Sequence, residues 1–265
     1  MQNDRYGLGR VVGEVGVLPQ RARVLDTSLP LRWGEILIDV ESLNVDAASF
    51  KQIKESCQGD TAKIAETVKA IVRERGKMQN PVTGSGGMLI GRVREVSPAH
   101  RDFASLKPGD RIATLVSLTL TPLRIDEIVA VKPDIDRIDI RCQAILFESG
   151  IYARLPSDMP DMLALAALDV CGAPALVARY AKPGMRVLVL GSGKSGALCL
   201  AEARKAVGPS GQLLALDVSR KALDALSSIG LVDCPIECDA KRAVDVLSAV
   251  SKATKSHLPD LVINC

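Results

Sequence analysis

Apolar and polar residues alternate over short runs from Val11 to about Tyr152, then give way to longer alanine- and leucine-rich blocks. The runs Glu35–Val40, Met88–Val93 and Arg111–Val116 have the period-two texture of strands, and Lys107-Pro-Gly-Asp110 supplies a turn before the last of them. One stretch breaks the pattern. Ile64, Val68, Ile71 and Val72 recur at helical spacing, with Asp60 or Thr61 placed to cap the start and Gly76 to stop the end, so a helical insertion is expected over about 60–76.

After Pro156 the alternation is of helix with strand. The pattern predicts helix over Met162–Tyr180 with a break at Gly172–Pro174, strand at Val187–Leu190 and helix at Ala197–Val207. It continues with strand at Leu213–Leu216, helices at Arg220–Ile229 and Ala243–Ala253, and strand at Leu261–Asn264. Such βαβ repetition builds a parallel sheet. The expected architecture is α/β: a β-rich domain over 1–155 followed by a doubly wound parallel-sheet domain over 156–265. An open sheet of this kind normally has about six strands, and only three or four are counted, so the second domain reads as partial.

Composition narrows the function classes. With 47% hydrophobic residues the 265-residue chain can fill real cores, and a net charge of +3 gives no electrostatic footprint for nucleic acid. No apolar run reaches the roughly 18 residues of a membrane span, and the N-terminal sequence lacks a signal-peptide core. A cytoplasmic protein without nucleic-acid or membrane partners is expected. The seven cysteines are scattered, as reduced thiols are. Cys234 and Cys238 form the one close pair, and with only His100 and His257 to complete it a zinc site there is disfavoured.

The strongest chemical signal is Gly191-Ser192-Gly193-Lys194-Ser195-Gly196, set between an expected strand and an expected helix. In a G-x-G-x-x-G turn the first glycine allows the tight bend, the second lets backbone approach a pyrophosphate, and the third lets helix pack on strand. The helix start then offers unpaired N–H groups and a positive dipole end to the phosphates. Asp217, about 20 residues beyond, stands where a carboxylate grips the adenosine ribose and repels a 2′-phosphate. That favours NAD, although Ser219, Arg220 and Lys221 leave NADP open. Gly193-Lys194-Ser195 also imitates the end of an NTPase P-loop, but the glycine needed at position 188 is Leu188.

A β-rich domain ahead of a Rossmann domain resembles the medium-chain dehydrogenase/reductase superfamily, whose first domain is GroES-like. The segments Lys77–Gly91, Ile112–Ile128, Ala144–Tyr152 and Leu163–Asp169, together with the glycine loop, resemble the L-erythro-3,5-diaminohexanoate dehydrogenase family more specifically. The resemblance implies oxidative deamination of a small diamino acid to 5-amino-3-oxohexanoate, with release of ammonia and reduction of NAD or NADP. It also implies a chain that continues past the last strand, so either a homodimer or a complementing C-terminal chain is a candidate partner. Where zinc-dependent superfamily members carry metal ligands, this chain has Leu43–Asp46, Gly86–Met88 and Cys171. One soft ligand without histidine does not hold catalytic zinc.

Oxidising an amine requires a neutral nitrogen, so a base must take an ammonium proton and a water must later be activated. Asp46, at the place of the first zinc ligand, is the first candidate, and Glu148 in the Phe-Glu-Ser-Gly turn the second. Arg124 is the candidate for the substrate carboxylate, with Ser85 and its neighbouring glycines lining the pocket. Each has a plainer reading. Asp46 suits a helix N-cap before Ala47–Phe50, Glu148 a salt bridge, Arg124 a solvated strand position, Cys171 a core position, and Asp169 a cap for the helix after Pro174. Two other functions fit the same outline: a zinc-free quinone or enone reductase, and a noncatalytic dinucleotide-binding module or half of a split enzyme.

Overall fold

Ile36–Val45 forms β1, and it is largely buried because it lies between two partners. The computed structural model describes residues 4–265, which divide into two units between Met159 and Pro160. That is a few residues beyond the expected boundary, since the segment after Tyr152–Arg154 stays with the first unit.

In the first unit, β1 leads into α1 (Ala47–Ser56) and α2 (Thr61–Arg75), then β2 (Gly87–Val96), β3 (Arg111–Thr114), β4 (Leu123–Lys132), β5 (Arg137–Leu146) and β6 (Tyr152–Arg154). They make one antiparallel sheet in the order β4-β5-β1-β2-β3-β6. The expected insertion is α2: Asp60 accepts N–H bonds from Ala62 and Lys63, and Gly76 ends the helix at φ 63°. A side-chain cap of this kind is worth about 1 kcal/mol. Ile64, Val68, Ile71 and Val72 close on one core with Phe50, Ile53, Ile36, Ile38 and Leu89. Each such fully buried side chain contributes ~1.5–3 kcal/mol.

The second unit runs α3 (Asp161–Leu168), α4 (Gly172–Tyr180), β7 (Arg186–Leu190), α5 (Lys194–Val207), β8 (Gln212–Asp217), α6 (Arg220–Ser228), β9 (Cys234–Glu237), α7 (Ala243–Ala253) and β10 (Leu261–Asn264). The four strands are parallel, in the order β10-β7-β8-β9. Strand alternation puts Val187 and Val189 on one face with Leu200 of α5 and Leu223 of α6, and Leu188 on the other with Val250 of α7. Helices on both faces explain why these strands read as continuous apolar runs.

Three sequence expectations need correction. The break between α3 and α4 falls at Asp169–Cys171, and Gly172 to Pro174 begin α4, since proline is tolerated in a first turn. Asp169 does not cap that helix; it closes α3 and lies 3.6 Å from Lys194. Cys171 is half-buried, outside the apolar clusters, because it sits in the turn between the two helices.

Candidate functional site

The glycine loop joins β7 to α5 at the carboxyl end of the parallel sheet. Gly191 sits at φ 97°, a conformation L side chains rarely adopt. Its N–H donates to the Leu216 carbonyl at 2.8 Å, which pins the turn to β8. A Cβ on Gly196 would fall 1.9 Å from the Gly191 carbonyl oxygen, so only glycine lets α5 start this close to the strand. A Cβ on Gly193 would meet nothing within 4 Å. The first and third glycines are thus required by the protein's own packing, whereas the second faces open space, as a loop approached by a phosphate must.

Asp217 ends β8 beside this loop. Its carboxylate accepts the Ser192 N–H at 2.6 Å and the Ser219 N–H at 2.8 Å. Those bonds fix its orientation and leave acceptor capacity on both oxygens. Ser219 caps α6 through Ala222, and Arg220 is tied to Asp224 at 2.9 Å. The Ser192 hydroxyl is buried without a hydrogen-bond partner among the described residues, an orphan that a bound group would satisfy. The residues therefore fit a dinucleotide: loop N–H groups, the start of α5 and Lys194 for the phosphates, Ser192 and Ser195 as hydroxyl donors, and Asp217 for the ribose. Cys265, whose N–H donates to Leu190, packs its carbonyl behind Gly191, a support the sequence did not signal.

In the first unit the structure brings together Asp46 and Ser85. Asp46 is exposed and caps α1, its carboxylate accepting the Ala48 N–H at 3.0 Å, and Ser85 Oγ donates to the same oxygen at 3.0 Å. Behind Ser85 the buried Ser49 hydroxyl lies 2.6 Å from Ser85 Oγ and 2.5 Å from Thr83 Oγ1. Ser49 and Thr83 were missed from sequence; the serine- and threonine-bearing loop around Gly84 was the only hint. The glycines after Ser85 have a packing role of their own. Gly87 lets β2 hug β1, since a Cβ there would sit 2.0 Å from the Asn44 carbonyl oxygen, and Gly86 lets the chain pass close to Met78, whose carbonyl oxygen would lie 2.6 Å from a Cβ.

Arg124 and Glu148 lie elsewhere. Arg124 stands opposite Gln143, and Gln143 opposite Asp39, seven positions along from Asp46. At about 3.3 Å per residue that is roughly 20 Å, too far for one six-carbon substrate to reach both. Arg124 is exposed and bonds Gln143 Oε1 at 2.7 Å. Glu148 follows Leu146, which pairs with Ile36 at the opposite end of β1 from Asp46. It is buried against Arg5 Nε at 2.7 Å. The plainer readings of Asp46 as a cap, Glu148 as a salt bridge and Arg124 as an exposed strand residue are the ones this geometry displays. Among the described residues, no three His, Cys, Asp or Glu side chains are grouped to hold a metal.

Residues 9–156 match the family model of the L-erythro-3,5-diaminohexanoate dehydrogenase N-terminal domain. The whole chain is 52% identical to L-erythro-3,5-diaminohexanoate dehydrogenase of Acetoanaerobium sticklandii, spanning 77% of that protein. It is 52% identical over 98% of its length to the enzyme of the same name from Fusobacterium nucleatum, spanning 76% of it. Among solved structures, an alcohol dehydrogenase from Thermus sp. ATN1 aligns with a TM-score of 0.53 at 17% identity, over 93% of this chain and 68% of that one. A mycobacterial quinone oxidoreductase aligns with 0.54 at 17% identity, over 92% and 62%. At that identity the two structures speak for the fold, which is the one expected from sequence.

Proposed function

Because this chain belongs to the L-erythro-3,5-diaminohexanoate dehydrogenase family, we propose that it oxidises the C3 amine of L-erythro-3,5-diaminohexanoate with NAD, releasing ammonia and 5-amino-3-oxohexanoate. It is an oxidoreductase that works with a nicotinamide dinucleotide on a small molecule. The identity of the relatives displaces the quinone or enone reductase reading, which rested on fold alone.

The observation that carries the cofactor assignment is the loop itself: two glycines locked by backbone contacts, a third facing open space, and Asp217 anchored beside them. NAD is favoured over NADP because a 2′-phosphate would approach the Asp217 carboxylate, while Arg220, the nearest candidate counter-charge, is engaged by Asp224. The nicotinamide supplies the hydride acceptor when bound.

The chain's own residues supply proton handling. Asp46 is the base we assign to the substrate ammonium: it is exposed, ionisable and held in one orientation by Ala48 N–H and Ser85 Oγ. Deprotonation gives the neutral amine from which C3 can lose hydride, and the resulting imine is hydrolysed by water. Ser49 and Thr83 continue the hydroxyl chain from Ser85, so Ser85 can donate to Asp46 while accepting from behind. The remote C5 ammonium gives the substrate a second positive end, which an exposed carboxylate also attracts.

The test is cofactor reduction on mixing purified protein with L-erythro-3,5-diaminohexanoate, with NAD and NADP in parallel. The reading expects amine-dependent reduction favouring NAD. Asp46→Asn is expected to lower kcat by about 100-fold or more, the usual worth of a positioned base, with NAD affinity unchanged. Full turnover in that variant places the base elsewhere.

A further inference from the structure

The first unit carries a cavity of about 430 Å³ that takes no part in the chemistry above. Residues of α2 and β4 form its walls. Lys69, Val72, Arg73 and Gly76 follow one another along a single face of the helix, and Arg124 and Asp126 project from the same side of the strand. Leu25, Val72 and Leu123, all buried, make an apolar floor.

Three cations converge on this space against one carboxylate. Lys69 is held by Glu66 at 3.1 Å, and Arg124 by Gln143 at 2.7 Å with Asp126 at 3.7 Å. The Arg73 guanidinium makes no hydrogen bond or ion pair with any described residue, and the Thr27 hydroxyl at the rim makes none either. Glu66 and Asp126 offset the charges of Lys69 and Arg124, so Arg73 is the uncompensated cation facing this space, and an anion would pair with it. Guanidinium forks pair in bidentate fashion with carboxylate and phosphate alike. The diamino substrate, with two ammonium groups and one carboxylate, has the wrong net charge for this cavity. Its distance from Asp46 along the sheet argues the same way.

We propose that the α2–β4 cavity binds a small anion with a short carbon skeleton, a carboxylate or a phosphate ester, paired with Arg73 and flanked by Arg124 and Lys69, with the skeleton on Leu25 and Leu123. Within the first unit it is a ligand site separate from the Asp46–Ser85 group, and its occupancy links the helical insertion to the sheet edge.

The test is calorimetric titration of the full chain at low salt with glutarate, and separately with inorganic phosphate. Arg73→Gln, Arg124→Gln and Gly193→Val are titrated alongside. Arg73 is exposed and unpaired, so its variant does not endanger folding. Saturable one-to-one binding of at least one anion is expected, weakened tenfold or more in each arginine variant and unchanged in Gly193→Val. Binding of glutarate alone identifies the carboxylate source, and of phosphate alone the phosphate-ester source. Absence of saturable binding by either, or binding that both arginine variants leave intact, overturns the proposal. Because the readout is independent of turnover, a failed amine-dehydrogenase assay leaves this result interpretable.

Discussion

The Asp217 carboxylate accepts the backbone N–H of Ser192 at 2.6 Å, tying the tip of β8 to the first turn of the glycine loop. One side chain thereby orders the loop and positions an anion for the cofactor's ribose. Asp217→Ala removes both this bond and the one from Ser219. Hydrogen bonds to charged groups are worth about 1.5–3 kcal/mol, so NAD affinity should fall tenfold or more. With the repelling charge gone, the ratio of NAD to NADP affinity should narrow. Titration of both coenzymes into the variant checks this, and an unchanged ratio removes Asp217 from coenzyme choice.

A buried ion pair anchors the N-terminal segment. Arg10 donates to both oxygens of Glu35, at 2.8 and 2.6 Å, and to the carbonyl of Ser28 at 2.5 Å; both charged side chains are almost wholly buried. Breaking such a pair from one side leaves the buried guanidinium with only Asp26, 4.0 Å away, as a counter-charge, and costs up to about 3–5 kcal/mol. Glu35→Gln should lower the unfolding free energy of the first unit by roughly that amount. Replacing both partners, as Arg10→Met with Glu35→Leu, should recover much of the loss. Denaturant titration of the single and double variants decides it.

The imidazole of His100 gives acid sensitivity. It is buried, its Nδ1 accepts the Asp102 N–H at 3.0 Å, and its Nε2 has no partner among the described residues. Burial lowers its pKa below the ordinary value, with Arg101 pushing the same way and Asp102 and Glu148 opposing. The unfolded chain therefore binds the proton first as pH falls. Stability from this group is complete above about 6.5 and declines below it, by up to about 1.4 kcal/mol per pH unit, until the folded value is reached. His100→Asn keeps an acceptor for Asp102 and removes the titration. Its stability curve between pH 7 and 5 should be flatter than that of the unaltered protein.

How far the sequence foretold this molecule depended on whether the signal was local. Asp60 and Gly76 bracket four apolar positions at helical spacing, so α2 was legible with both caps. The glycine loop was equally plain, because strand, turn and helix are contiguous. By contrast β9 went unread: Cys234-Pro-Ile-Glu237 is short, contains a proline, and survives as a strand only at the sheet edge, beside β8. The pairing of Asp46 with Ser85, and the separation of both from Arg124 and Glu148, depends on which strands are neighbours and in what register. Alternation within a single strand carries no such information.

The central claim, that the Gly191–Gly196 loop holds the dinucleotide, is tested most directly by calorimetric titration of NAD into the protein and into Gly193→Val. A Cβ at position 193 meets no atom within 4 Å beyond its chain neighbours, and the φ of −73° suits any residue. The variant should therefore fold, with a Tm lowered only by the poorer N-cap that valine makes for α5. Saturable NAD binding by the unaltered protein, abolished in Gly193→Val, is the predicted result. Equal NAD affinity in the two proteins, or none in either when both are folded, contradicts it.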